Sequence, residues 1–180
     1  MKSSIVKFLY FVVIFSAPHF AQCSGYVWYV GMNFEPTSTV VKGIPVVSLD
    51  ESWILARCLT KKDVPEKEMK DFEKYDETWG YAFQKEGDFN KDGKPDRAVV
   101  GVYKDKDGNT GRFLLVLTRL QNKWVKSVLF KRPGRPGFSI LGKLTKKSLR
   151  WSFCMECDDI SYIKWEKDHY ALIVYDDEVP

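Results

Sequence analysis

The residues with the sharpest chemical pattern are Asp88, Asn90, Asp92 and Asp96, in Gly87-Asp88-Phe89-Asn90-Lys91-Asp92-Gly93-Lys94-Pro95-Asp96. Oxygen-bearing side chains fall at every second position, a glycine follows the third, and a fourth such side chain, an acid, closes the series. Hard cations such as Ca²⁺ take six to eight oxygen ligands at about 2.3–2.6 Å, and a tight acidic loop supplies them. The expected ligands are the side chains of Asp88, Asn90, Asp92 and Asp96, with the backbone carbonyl of Lys94. The only nearby cations are Lys91, Lys94 and Arg97, so the acids repel one another unless an ion is bound. The plain alternative is an acidic turn that binds nothing.

Asp88, Asn90, Asp92 and Gly93 match positions one, three, five and six of the helix–loop–helix calcium motif, whose twelfth position is a glutamate on a following helix. Here that position is Val99, inside the apolar run Ala98–Tyr103, which excludes that fold and points to a strand. With Gly-Asp-hydrophobic-Asn-x-Asp-Gly-x-x-Asp ahead of an apolar strand, residues 87–100 resemble an FG-GAP (VCBS-type) calcium loop. The resemblance implies Ca²⁺ held between two strands by Asp88, Asn90, Asp92 and Asp96 through side chains and by Lys94 through its backbone. It covers about 20 residues and occurs once, whereas propellers of that family carry several copies. The chain thus resembles small exported bacterial proteins with a single such loop. Asp105-Lys106-Asp107-Gly108 looks like half a motif but lacks the later acid.

Other chemistry is sparse. No Gly-x-Ser-x-Gly elbow, paired metal-ligating histidines or Gly-rich phosphate loop occurs, so a hydrolase has little support. Spatially paired carboxylates for glycoside chemistry are invisible at this level. His169 reads as a surface residue. Lys131–Gly137, with Arg132 and Arg135, reads as a basic, rigid loop, which makes a protein-binding or inhibitor module the alternative to a non-enzymatic calcium-stapled protein.

The N-terminus has Lys2 and Lys7 ahead of and within an apolar stretch ending near Phe15, then small and polar residues. This reads as a secretory signal peptide over residues 1–21, with cleavage after Ala21 or, alternatively, after Cys23. Gln22 disfavours a lipid anchor on Cys23. Export to the periplasm or beyond places the cysteines in an oxidising compartment. Pairings Cys23–Cys58 and Cys154–Cys157 are then expected, against redox or zinc readings of Cys154-Met-Glu-Cys157. The formal charge of +4 falls by the two leader lysines, which gives no nucleic-acid or anionic-membrane bias.

Residues 22–180 are long enough for one domain and apolar enough for one core. Tyr26–Val30 reads as a strand. Ser48 to Leu59 reads as a helix with a capping box, or else as a short buried strand around Trp53. The charged segment Thr60–Glu77, with Pro65 early and Met69 and Phe72 three apart, reads as a solvated helix or loop. From Trp79 onward short apolar runs alternate with turns at Asp105–Asn109, Asn122–Lys123 and Glu166–Asp168, and Trp124, Trp151 and Trp165 are expected in the core. The fold class expected is α+β, β-dominant: an antiparallel β-meander with short N-terminal helical segments.

Overall fold

The computed structural model describes residues 27–145, 148–156 and 159–174. The expected signal peptide, Cys23 and Cys157 lie outside the described residues. Two antiparallel sheets carry the fold, as the sequence pattern predicts. A five-stranded sheet contains β3 (Trp53–Cys58), β4 (Gln84–Gly87), β5 (Asp96–Asp105), β6 (Thr110–Leu120) and β7 (Lys123–Pro133), in the order β3-β5-β6-β7. β4 shares one edge of β5 with β3: β4 pairs with Asp96–Val99 and β3 with Gly101–Asp105. A four-stranded sheet holds β8 (Ile140–Thr145), β9 (Ser148–Ser152), β10 (Ile160–Glu166) and β11 (His169–Val174) in sequence order. A small ribbon of β1 (Val40–Val41) and β2 (Ile44–Pro45) leads into the one-turn α1 (Val46–Leu49). The longer α2 (Met69–Trp79) ends at Gly80, whose φ of 60° makes the left-handed cap.

Tight turns set the registers. Leu120 faces Lys123 across the two-residue turn Gln121–Asn122, both at positive φ, and Glu166 faces His169 across Lys167–Asp168. The turn expected at Asn122–Lys123 therefore lies one residue earlier.

Both faces of the five-stranded sheet are buried, which explains the unbroken apolar run Leu114–Leu117. On one face Ala98, Val100, Val102, Leu114 and Val116 meet Ile140, Leu149, Trp151 and Ile163 of the second sheet, with Phe72 of α2 joining the same core. On the other face Val99, Phe113, Leu115 and Leu117 pack with Trp53 and Ala56 under Val41, Val46 and Leu49. Trp151 is fully in the core, while Trp165 and Trp124 are half-buried against its two sides. The sheets also touch through backbone: Ala82 and Leu141 exchange hydrogen bonds of 2.8 and 2.9 Å.

Three expectations need correction. Trp53–Cys58 is a strand and not a helix, because pairing with β5 seals Trp53 and Ala56 into a core that a solvent-facing helix would leave open. Val27–Val30 forms a turn closed by Val30 N–H to Val27 O at 3.0 Å, and buries Trp28 and Tyr29 without joining a sheet. Residues 131–133 belong to β7, so the basic stretch begins inside a strand. Cys58 is a free thiol on β3 beside Gly101, and its expected partner, Cys23, lies outside the described residues. Burial pushes that thiol up to about 11 against the opposing pull of Lys42 and Arg57, which leaves it unreactive at neutral pH. Cys154 is disulfide-bonded, to a partner outside the described residues.

Candidate metal loop and its buried carboxylate

Residues 88–95 connect β4 to β5, whose facing ends are Gly87 and Asp96. The alternate spacing of acids and amide turns their oxygens toward the loop's own backbone. Asp88 accepts from Asp92 N–H through Oδ1 at 3.1 Å and from Gly93 N–H through Oδ2 at 3.0 Å. Asn90 Oδ1 also accepts from Asp92 N–H, at 3.1 Å, and Asp92 Oδ1 accepts from Lys94 N–H at 2.8 Å. Such side-chain-to-backbone bonds fold acidic turns without help from the rest of the protein. Gly93, at φ 80°, occupies a conformation that disfavours any residue with a Cβ.

Asp96 behaves differently from the other three. It points between the sheets and is wholly buried, whereas Asp88 and Asp92 are exposed. Its Oδ2 accepts from Phe89 N–H at 2.9 Å, Asn90 N–H at 3.3 Å and the Tyr170 hydroxyl at 2.8 Å. Its Oδ1 accepts a short hydrogen bond from the Thr118 hydroxyl. Thr118 in turn contacts Ser127 Oγ at 2.6 Å, reached because a bulge in β7 sets Val116 opposite Val128 but Leu117 opposite Lys126. One carboxylate thus gathers the loop, β6 and, through Tyr170, β11 of the second sheet. Burial, then the hydrogen bond to Asp96 and the fields of Asp96, Asp92 and Asp88, push the Tyr170 phenol far above its ordinary range. Tyr170 therefore stays a neutral donor.

Charge around the loop is unbalanced. Arg97, the nearest arginine in sequence, turns to Glu86 at 2.7 Å and lies over Trp124, with 4.2 Å to the ring centroid. Among the described residues, Asp88, Asp92 and Asp96 have no ion-pair partner.

The donor set is all oxygen and hard, as Ca²⁺ requires, and no sulfur or imidazole joins it. Asp88, Asn90 and Asp92 each spend oxygens on loop amides, yet a carboxylate or amide oxygen that accepts one N–H keeps a second lone pair. No three Asp, Glu, His or Cys side chains among the described residues are already drawn together as a metal cluster. The residues fit a hard cation in chemistry and charge. The member expected to close the ligand set, Asp96, is the one whose oxygens are most heavily committed inside the protein.

The half-motif at Asp105 offers a control within the same chain. Asp105 Oδ1 accepts from Asp107 N–H at 3.0 Å and Asn109 N–H at 2.8 Å, Oδ2 accepts from Asn109 Nδ2 at 3.0 Å, and Gly108 sits at φ 84°. This is a self-contained hairpin tip, with no buried acid behind it.

Elsewhere, Arg132 is held by Asp159 at 2.8 and 3.1 Å, and Arg135 donates to the Val30 and Met32 carbonyls at 3.3 and 3.2 Å. The basic stretch is thus engaged with its own chain. His169 is exposed and contacts Asp168 at 3.1 Å. No helix among the described residues is long and apolar enough to cross a membrane. The residues that sequence reasoning missed are Thr118, Ser127 and Tyr170. Thr118 carries a signal, a hydroxyl two and four residues on from the apolar Val116 and Leu114 of the same strand face; Tyr170 carries none. Compared with known proteins, the chain matches no family model, no curated protein and no solved structure.

Proposed function

We propose that this protein is an exported, non-enzymatic β-domain in which a calcium ion at residues 88–94 completes a staple between its two sheets. The observation behind this reading is Asp96: a fully buried carboxylate with four donors and no ion-pair partner, directly behind two further unpaired acids. Asp88, Asn90, Asp92 and the Lys94 carbonyl would hold the ion at the surface. Asp96 anchors the loop from beneath, by orienting Phe89 and Asn90 N–H. A bound cation supplies the direct counter-charge that Asp88 and Asp92 do not receive from any ion pair among the described residues.

An ion that binds only the folded chain stabilises it by RT ln(1 + [L]/Kd), about 2.7 kcal/mol at a hundredfold excess over Kd. Calcium titrated into chelator-treated full chain is expected to bind at one site and to raise the melting temperature. The double variant Asp88→Asn with Asp92→Asn is expected to lose both responses, while Asp105→Asn keeps them. Absence of calorimetric binding at millimolar calcium, with an unchanged melting curve, would sink the proposal.

A further inference from the structure

On β6 the residues facing the second sheet are Arg112, Leu114, Val116 and Thr118, so a guanidinium is turned toward an apolar interior. Arg112 lies directly opposite Arg132 in the β6–β7 register, a like-charge pair that works against the sheet. The chain answers two of the three arginines here: Arg132 through Asp159, and Arg135 through two backbone carbonyls. Among the described residues Arg112 has no hydrogen-bond or ion-pair partner, and its Nε is a buried donor without an acceptor. Arg112 lies over the Phe153 ring, with 5.3 Å to the centroid, and Arg132 stands over the same ring at 4.0 Å. Burial, the charge of Arg132 and, after the opposing pull of Asp159, that of Arg135 all lower the Arg112 pKa, as expected of a cation short of counter-charge.

Arg112 borders a cavity of about 280 Å³ walled by Tyr29, Met32, Phe138 and Phe153, with Arg135 at its margin. Gly137 makes room for the guanidinium: a Cβ there would stand 2.4 Å from Nη2 and 2.9 Å from Nε. Its φ is not in the positive region, so backbone conformation does not account for the glycine.

We propose that this cavity binds a small monocarboxylate with an apolar body, its carboxylate on Arg112 and its body among Met32, Phe138 and Phe153. One unanswered cation calls for one negative charge. The planar fork of a guanidinium matches a carboxylate. The aromatic walls favour a ring or short alkyl body over a fully hydrated inorganic anion, and the volume lies at the small end for ligand sites. This inference is independent of calcium binding at residues 88–94.

Calorimetric titration of benzoate into the full chain, with benzamide and inorganic phosphate as parallel arms, tests the proposal. Benzoate is expected to bind saturably at one site, and benzamide and phosphate at least about tenfold more weakly, since a charge-assisted pair of 1.4 kcal/mol or more is a factor of ten. Arg112→Met is expected to weaken benzoate at least about tenfold without unfolding the chain, because it removes a cation that forms no ion pair among the described residues. Gly137→Ala is the second variant: it displaces only the flexible end of Arg112 and is expected to weaken benzoate while retaining the wild-type circular dichroism spectrum. Failure of benzoate to saturate, equal binding of benzamide, tighter binding of phosphate, or unchanged benzoate affinity in both variants each overturns the proposal.

Discussion

The inward face of β6 has a polar residue at each end of its apolar middle, and the two ends are treated very differently. At the Thr118 end, cross-strand Asp96 is met by donors from the loop, from β6 and from β11, so every near group is satisfied. At the Arg112 end, Asp159, just before β10, is paired with Arg132. The outward face of β7 shows that the fold is able to answer a cation there, since Lys131 meets Asp50 at 2.5 Å. A buried charge stabilises a fold only when its hydrogen-bonding capacity is filled, and is otherwise a strain that a ligand can relieve. The acidic end is therefore structural and the basic end is a binding site in waiting.

The largest expected effect tests the acidic end. Asp96→Ala strands two amides and two hydroxyls in the interior and is expected to cost about 3–5 kcal/mol in denaturant unfolding. A loss below about 1 kcal/mol would show that the network is dispensable and break the contrast. Tyr170→Phe removes only the donor from the second sheet, with an expected loss of about 1–2 kcal/mol by the same measurement.

The outward pair provides a pH signature. Burial would raise the Asp50 pKa, but the hydrogen bonds from Lys131 and Ser52 overcome this and hold it at about 2, below the ordinary 3.8. A lowered folded pKa means stability that is present above pH 4 and lost as pH falls toward 2. Asp50→Asn is expected to cost about 1 kcal/mol at neutral pH and to flatten the stability curve across that window, because Lys131 is partly exposed and solvent screens the pair. A variant whose acid limb matches wild type would remove Asp50 from this account.

The smallest effect should have the opposite sign. Arg112→Met is expected to leave stability unchanged or to raise it by up to about 1 kcal/mol in the absence of any anion, since it relieves the facing Arg132 and an unpaired donor. A loss above about 1 kcal/mol would mean that Arg112 is as well satisfied as Asp96, and the two ends would no longer differ.

How much of this was legible beforehand follows from which forces are local. The β-rich class, the strands after Asp96 and the hairpin turns follow from alternation, β-branched runs and turn residues, all short-range properties. The oxygen pattern at residues 88–96 marked the loop for the same reason. Trp53–Cys58 escaped because its strand identity comes from β5, more than 40 residues away, and its own composition suits either state. The split role of the acids also escaped. Spacing shows that Asp96 follows Asp92 by four, but whether its carboxylate turns outward to an ion or inward to Tyr170 depends on a strand that folds much later in the chain.

The backbone bridge between Ala82 and Leu141 has a consequence for how the molecule comes apart. Strands β4–β7 and strands β8–β11 are each a run of sequential hairpins and would be cheap to form or lose alone, whereas this bridge closes the chain over a long span at an entropy cost that only a shared core recovers. The two meanders should therefore open as one cooperative unit. In native-state hydrogen exchange, the Ala82 and Leu141 amides should need the same opening free energy as the central amides of β5 and β6.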